Sequence, residues 1–180
     1  MSTQFDPDIH TRRLSSEVGA MRSILRRLGE SMQRDQLVQS TTDDIRNFLQ
    51  VDRVVLYYFY TQWEGQVTFE ALSSGEFSIY GSTGPDQCFS SEYAELYLSG
   101  RVSAISDIET AAIEPCHRDF LRHLHVRANL VVPILTEQGL WGLLVAHHCR
   151  ATKAWSEADI GQMRSGAEIL ASAASIKGGD

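Results

Sequence analysis

Residues 128–149 read Ala128-Asn129-Leu130-Val131-Val132-Pro133-Ile134-Leu135, then Thr136-Glu137-Gln138-Gly139, then Leu140-Trp141-Gly142-Leu143-Leu144-Val145-Ala146-His147-His148-Cys149. Two apolar runs of strand length flank a short turn that ends in glycine, which predicts an antiparallel pair over 128–135 and 140–149. Working outward, 53–60 and 66–72 also read as strands, the second with Val67, Phe69 and Ala71 expected on one face. Glycine, proline and serine dominate 73–85, which predicts loop. A short helix near Tyr93, a brief strand over 102–105 and a helix opening at Pro115 complete the middle of the chain. At the N-terminal end, Leu14, Val18, Met21, Leu25, Leu28 and Met32 alternate in steps of four and three, a heptad seam on a helix over about 10–33. A second helix is expected over 35–49. Ser156 is expected to cap a last helix whose seam is Ile160, Met163, Ala167, Leu170 and Ala174. The fold class that follows is α+β: a largely antiparallel sheet, helices at both chain ends, and inserted helices over one face.

Composition narrows the function. A chain of 180 residues, 43% hydrophobic, is long enough for one domain with a proper core. No apolar run reaches about 18 residues and no signal peptide is evident, which predicts a soluble, cytoplasmic protein without membrane contact. A net charge of −7 disfavours binding to a phosphate backbone, so nucleic acid is not expected as a partner. The cations are nearly all arginine, with Lys153 and Lys177 the only lysines. Arginine suits fork-like pairing with carboxylates, either on a ligand or in surface ion pairs.

The thiols are more pointed. Cys88 lies in Asp86-Gln87-Cys88-Phe89, and Cys116-His117 follows twenty-eight residues later. Pro115 reads as the first helical position, so Cys116 falls in the first turn, where unpaired N–H groups favour a thiolate. Cys88 precedes Ser90-Ser91-Glu92, another helix-start signature, but Asp86 opposes ionisation there by charge. Two cysteines set for addition chemistry point to an electrophilic ligand held between them. Three cysteines in all, an odd number without close spacing, argue against a disulfide framework. Cys149, at a strand end, reads as core or edge. Zinc is disfavoured: C-x-x-C and H-x-x-x-H spacings are missing, and adjacent Cys-His cannot readily share one tetrahedral ion. A bland reading exists for each thiol, Cys116 as a small buried apolar residue and Cys88 as a chance loop residue.

These residues carry a family resemblance. Asp86-Gln87-Cys88-Phe89 resembles the Asp-X-Cys-Phe motif of one branch of the cyanobacteriochromes, bilin-binding GAF photoreceptors of the phytochrome superfamily. Cys116-His117 is similar to their chromophore-anchoring pair. The runs from Asp52 to Phe59 and from Trp141 to His148 resemble the first and last long strands of phytochrome-type GAF domains. The resemblance covers roughly 35–175. It implies a GAF fold with inserted helices over a bilin pocket, and a linear tetrapyrrole, phycocyanobilin or phycoviolobilin, attached covalently. It further implies a thioether from Cys116 to the A ring and a reversible second thioether from Cys88 to the central methine bridge. Asp86 would accept hydrogen bonds from pyrrole N–H groups, His117 would pack on the rings, His147 would lie near the D ring, and Phe89 would line the pocket. The function implied is photoconversion between a violet- or blue-absorbing state and a green- to red-absorbing one, without enzymatic turnover.

The expected organisation is an N-terminal helix over 1–34, a bilin-binding domain over 35–175 and a flexible tail over 176–180. The two helical seams suggest a homodimer through the terminal helices, with an output domain or signalling partner outside this chain. Two other readings stay open: a GAF enzyme like the free methionine sulfoxide reductases, using Cys88 and Cys116 as a redox pair, and a non-photoactive GAF module that binds a ligand or dimerises.

Overall fold

The computed structural model describes residues 7–84 and 91–178. The chain opens with α1 (Pro7–Arg34) and α2 (Gln36–Leu49), and then enters the sheet through β1 (Arg53–Thr61) and β2 (Glu64–Leu72). Next come α3 (Ser91–Leu98), the short β3 (Ser103–Ile105) and α4 (Pro115–His123), and then the hairpin β4 (Ala128–Thr136) and β5 (Gly139–His148). α5 (Glu157–Ala171) and α6 (Ala174–Lys177) close the chain. The five strands lie in the order β2-β1-β5-β4-β3, and every neighbouring pair is antiparallel.

Local chemistry fixes the helix starts. Asp35 caps α2 by accepting from the N–H groups of Leu37 and Val38, and its other oxygen accepts from the backbone and hydroxyl of Ser175. One carboxylate therefore ties the second helix to the last. Ser156 and Asp159 form a reciprocal capping box at α5, the start expected from the sequence.

Side-chain alternation along the strands builds two separate hydrophobic bodies. Val54, Leu56, Leu130, Val132, Ile134, Leu144 and Ala146 point to the face covered by helices, against Ile45, Leu49, Met163 and Leu170. Val55, Val131, Leu143 and Val145 point to the opposite face, with Val67 and Tyr97. The expectation that Val67 shares a face with Phe69 and Ala71 is corrected by a register shift: Leu56 pairs with Phe69 but Tyr57 pairs with Val67. The bulged Thr68 leaves Phe69 and Ala71 in the helical core and turns Val67 to the other side.

Two sequence expectations about the ends also change. In α1, Leu25 and Met32 are buried against the domain, whereas Leu14 and Val18 remain exposed. The α5 seam of Met163, Ala167 and Leu170 is buried in this domain's own core, with Ile160 packed against it. Ile176 and Lys177, expected in a flexible tail, belong to α6, and Ile176 is buried.

Candidate functional site

The sheet face away from α1, α2 and α5 forms the floor of a cleft of about 970 Å³, its open mouth included. Val55, Tyr57, Val131, Leu143 and Val145 supply the floor; Ile79 and Gly84 come from the β2–α3 connection; His117, Phe120, Leu121 and Leu124 come from α4. The apolar lining, with few polar groups, is that of a site for an organic ligand. Tyr57 holds one wall in place: its hydroxyl accepts from the Gly84 N–H at 2.8 Å, and a Cβ on Gly84 would collide with that hydroxyl.

One rung of the floor is polar. Arg53 on β1, His147 on β5 and Asn129 on β4 are register partners across three adjacent strands, and all three are buried. The Arg53 Nε–H donates to His147 Nδ1 at 2.9 Å, while Nη1 donates to the Phe77 carbonyl at 2.8 Å and Nη2 to the Leu124 carbonyl at 2.6 Å. Leu124 is the C-cap of α4, so the guanidinium sits where the helix dipole is negative. No carboxylate of the described residues forms an ion pair with Arg53, and burial pulls its pKa down against the nearby charges of Cys149, Glu70 and Asp52.

Burial, and then the Arg53 charge, hold His147 well below the ordinary histidine range. His147 is therefore neutral; since Nδ1 accepts, the ring proton sits on Nε2. His147 and Asn129 both line the cleft. Asn129 is 3% exposed, and its Oδ1 has no hydrogen-bond partner among the described residues.

His117 reaches the cleft from the first turn of α4, and burial, aided by Arg101, lowers its pKa. Cys116 follows the N1 proline as expected, but it is exposed and does not line the cleft wall formed by the described residues. It is also disulfide-bonded, which corrects the expectation of an open thiolate and of a chain without disulfides. Cys149 is a free thiol that burial pushes up in pKa, which suits an unreactive strand-end residue. Asp86, Cys88 and Phe89 lie outside the described residues. The structure thus brings together His117 and His147 of the expected set. Arg53, Asn129 and Tyr57 were not singled out from the sequence. The available signal was a lone polar residue in each apolar strand, at positions that only strand register shows to be opposite His147.

A GAF domain model matches residues 33–174. The chain belongs to the GAF family. This GAF domain is 51% identical over 145 residues to an uncharacterised protein of Picosynechococcus sp., covering 81% of this chain and 89% of the relative. Among solved structures, the blue-light-absorbing form of the Thermosynechococcus elongatus PixJ GAF domain superposes with a TM-score of 0.68 at 33% identity, over 83% of this chain and 88% of that one. The phycocyanobilin-bound GAF domain of a cyanobacterial phytochrome gives 0.67 at 29% identity, over 83% and 91%. Two longer relatives from Synechocystis sp. are matched over a small part of their length. They are a putative methyl-accepting chemotaxis protein (35% identical, 78% of this chain and 14% of the relative) and a circadian input-output histidine kinase (31%, 88% and 24%).

Proposed function

We propose that this GAF domain is a light-sensing module that holds a linear tetrapyrrole, and that it is a sensor rather than an enzyme. The observation that carries the reading is the apolar cleft on the sheet, lined by His117 beside Cys116 and by a neutral His147 at the polar rung. Structural similarity to the PixJ and phycocyanobilin-bound GAF domains supports the same reading. When bound, the tetrapyrrole supplies visible absorption and a double bond beside its D ring that light can turn. The chain's residues do the rest. Cys116, once reduced, would hold the A ring through a thioether, and His117 would pack against the rings. Asp86 would accept from pyrrole N–H groups, Phe89 would be a further pocket residue, and His147 would lie near the D ring. Cys88 would be the reversible second attachment: its sulfur would bond the central methine carbon and its proton would pass to a ring nitrogen, shortening the conjugated system for a violet- or blue-absorbing state, and the reverse elimination would restore the green- to red-absorbing one. The bilin is phycocyanobilin or its isomer phycoviolobilin.

We further assign 1–34 to a signalling helix and 35–175 to the bilin-binding unit, with the output carried by a partner or domain of the kind found in the longer relatives. The test is co-expression with bilin-synthesis enzymes, followed by zinc-enhanced fluorescence of the denatured band and spectra before and after illumination. A fluorescent band and reversible photoconversion are expected. A colourless band would overturn the reading, and sulfoxide-dependent oxidation of thioredoxin would put a reductase in its place.

A further inference from the structure

The turn between β1 and β2 holds a residue that its backbone does not favour. Thr61 pairs with Glu64, so Gln62 and Trp63 make the turn, and Trp63 lies in the left-handed region at a φ of 71°. Glycine or asparagine fills such a position readily, whereas a bulky side chain there costs on the order of 1–3 kcal/mol. The indole does not recover that cost through a hydrogen bond. Its Nε1 is buried and has no partner among the described residues, and a buried donor left unpaired costs about 1–3 kcal/mol more. Packing does not call for the donor either. The ring meets Phe59 edge to face, with centroids 6.0 Å apart, a contact that phenylalanine would make as well.

The other tryptophans have different settings. Trp155 donates to the Ile105 carbonyl at 3.0 Å, and Trp141 tilts against Tyr58 and packs on the helical core. Of the three, Trp63 alone lines the cleft. Strain and an unpaired buried donor thus coincide in a cleft residue, and both mark a position held for something other than the fold.

That setting selects a ligand group. An indole N–H donates and cannot accept, so the group opposite it is an acceptor. No lysine or arginine lines the cleft among the described residues, whereas Glu114 does. A carboxylate would exchange water for one neutral donor, without a cation and in the same cleft as a like charge, a poor exchange for a buried ion. A neutral carbonyl asks for one donor and finds one. We propose that Trp63 Nε1–H donates to a neutral carbonyl of the ligand, and that the strained turn is kept because it sets the indole at the cleft. The inference rests on the tetrapyrrole reading and refines it: the contact is to a terminal-ring carbonyl of the pigment, not to a propionate carboxylate. It also lies well away from the polar rung, since β1 rises about 3.3 Å per residue and Phe59 therefore stands roughly 20 Å from Arg53.

Two measurements test the contact. Nitrogen-15 NMR of the full-length Cys116→Ala protein, in which pigment binds reversibly, follows the three indole N–H signals after assignment through the backbone. On addition of phycocyanobilin the Trp63 signal should move downfield and its proton should exchange more slowly. A Trp63 signal that stays in place in the pigment-bound protein overturns the contact. Phycocyanobilin is then titrated into the Cys116→Ala protein and into the same protein carrying Trp63→Phe, both checked for folding by circular dichroism. The Phe change should weaken binding about 10-fold, the scale of one hydrogen bond left unmade. The dimethyl ester of phycocyanobilin, with both propionates neutralised, should show the same loss; a loss that vanishes with the ester overturns the carbonyl assignment in favour of a propionate. Equal affinity of both proteins for phycocyanobilin overturns the Trp63 contact alone, while no binding to either overturns the tetrapyrrole reading along with it.

Discussion

At the scale of single residues, the thiols and histidines divide the work, and the two predictions here follow from their settings. Cys116→Ala should abolish pigment that survives denaturing electrophoresis while the domain stays folded. Cys88→Ala should keep the pigment but lose the short-wavelength state. Retention of full covalent pigment by the first variant, or an unchanged blue band in the second, would sink the assignment. Attachment also needs Cys116 as a free thiolate, so loading should require a reductant. The second prediction concerns acid. Unfolded histidine titrates near 6.5, whereas His147 and His117 both titrate lower in the folded chain, through burial first and then the charges of Arg53 and Arg101. Below about pH 6.5 the unfolded state binds the extra protons, so stability is complete above that pH and falls as the solution is acidified towards the folded values. The urea midpoint of the pigment-free protein should drop between pH 7.5 and pH 5, and His147→Gln, which can still accept from Arg53, should shrink that drop. An identical drop in the variant would mean that His147 does not carry the effect. The placing of His117 in the first turn of α4 was legible because Pro115 marks the helix start in neighbouring letters. Arg53 and Asn129 were not, because their meaning lies in a register between strands far apart in the chain.

Among the elements, the strands and long helices were read from periodicity to within a few residues, and the failures have local causes. Thr68 adds one residue to β2, and a period-two pattern cannot show where a bulge reverses it. Gly142 is another local device: a Cβ there would run into the backbone carbonyl of Tyr57 on the neighbouring strand. Gly142→Ala should therefore cost about 2 kcal/mol, as overpacking of a well-packed interior does, lowering the melting temperature by roughly 4–8 °C for a chain of this size. Unchanged melting would show that β1 and β5 can separate freely. The seam of α1 divides in two, since its second half packs on the domain and its first half exposes Leu14 and Val18. An isolated helix does not keep such residues exposed without a partner at little cost, and heptad spacing suits a second helix. Light scattering at tens of micromolar should find a dimer for the whole chain and a monomer for a version lacking 1–33; a monomer in both, in dark and in light, would refute pairing through α1. The seam of α5 has no such part, as it is spent on the core.

For the molecule as a whole, the α+β class and the GAF resemblance followed from the order of elements and two short motifs. The split of the interior did not, because a period-two strand pattern says that two faces exist without saying what covers each. The sheet has an apolar cleft on one side and helices on the other, and its residues belong to one side or the other by turn. Val145 and His147 belong to the cleft, Leu144 and Ala146 to the helical core. This partition bears on how such a domain diverges. A change at Val131 or Val145 reshapes the cleft while the contacts beneath α2 and α5 are left as they were, so lineages can drift through ligand preferences one substitution at a time without passing through unfolded ancestors. Selection for a new ligand and selection for a foldable chain act on alternate letters of the same strands.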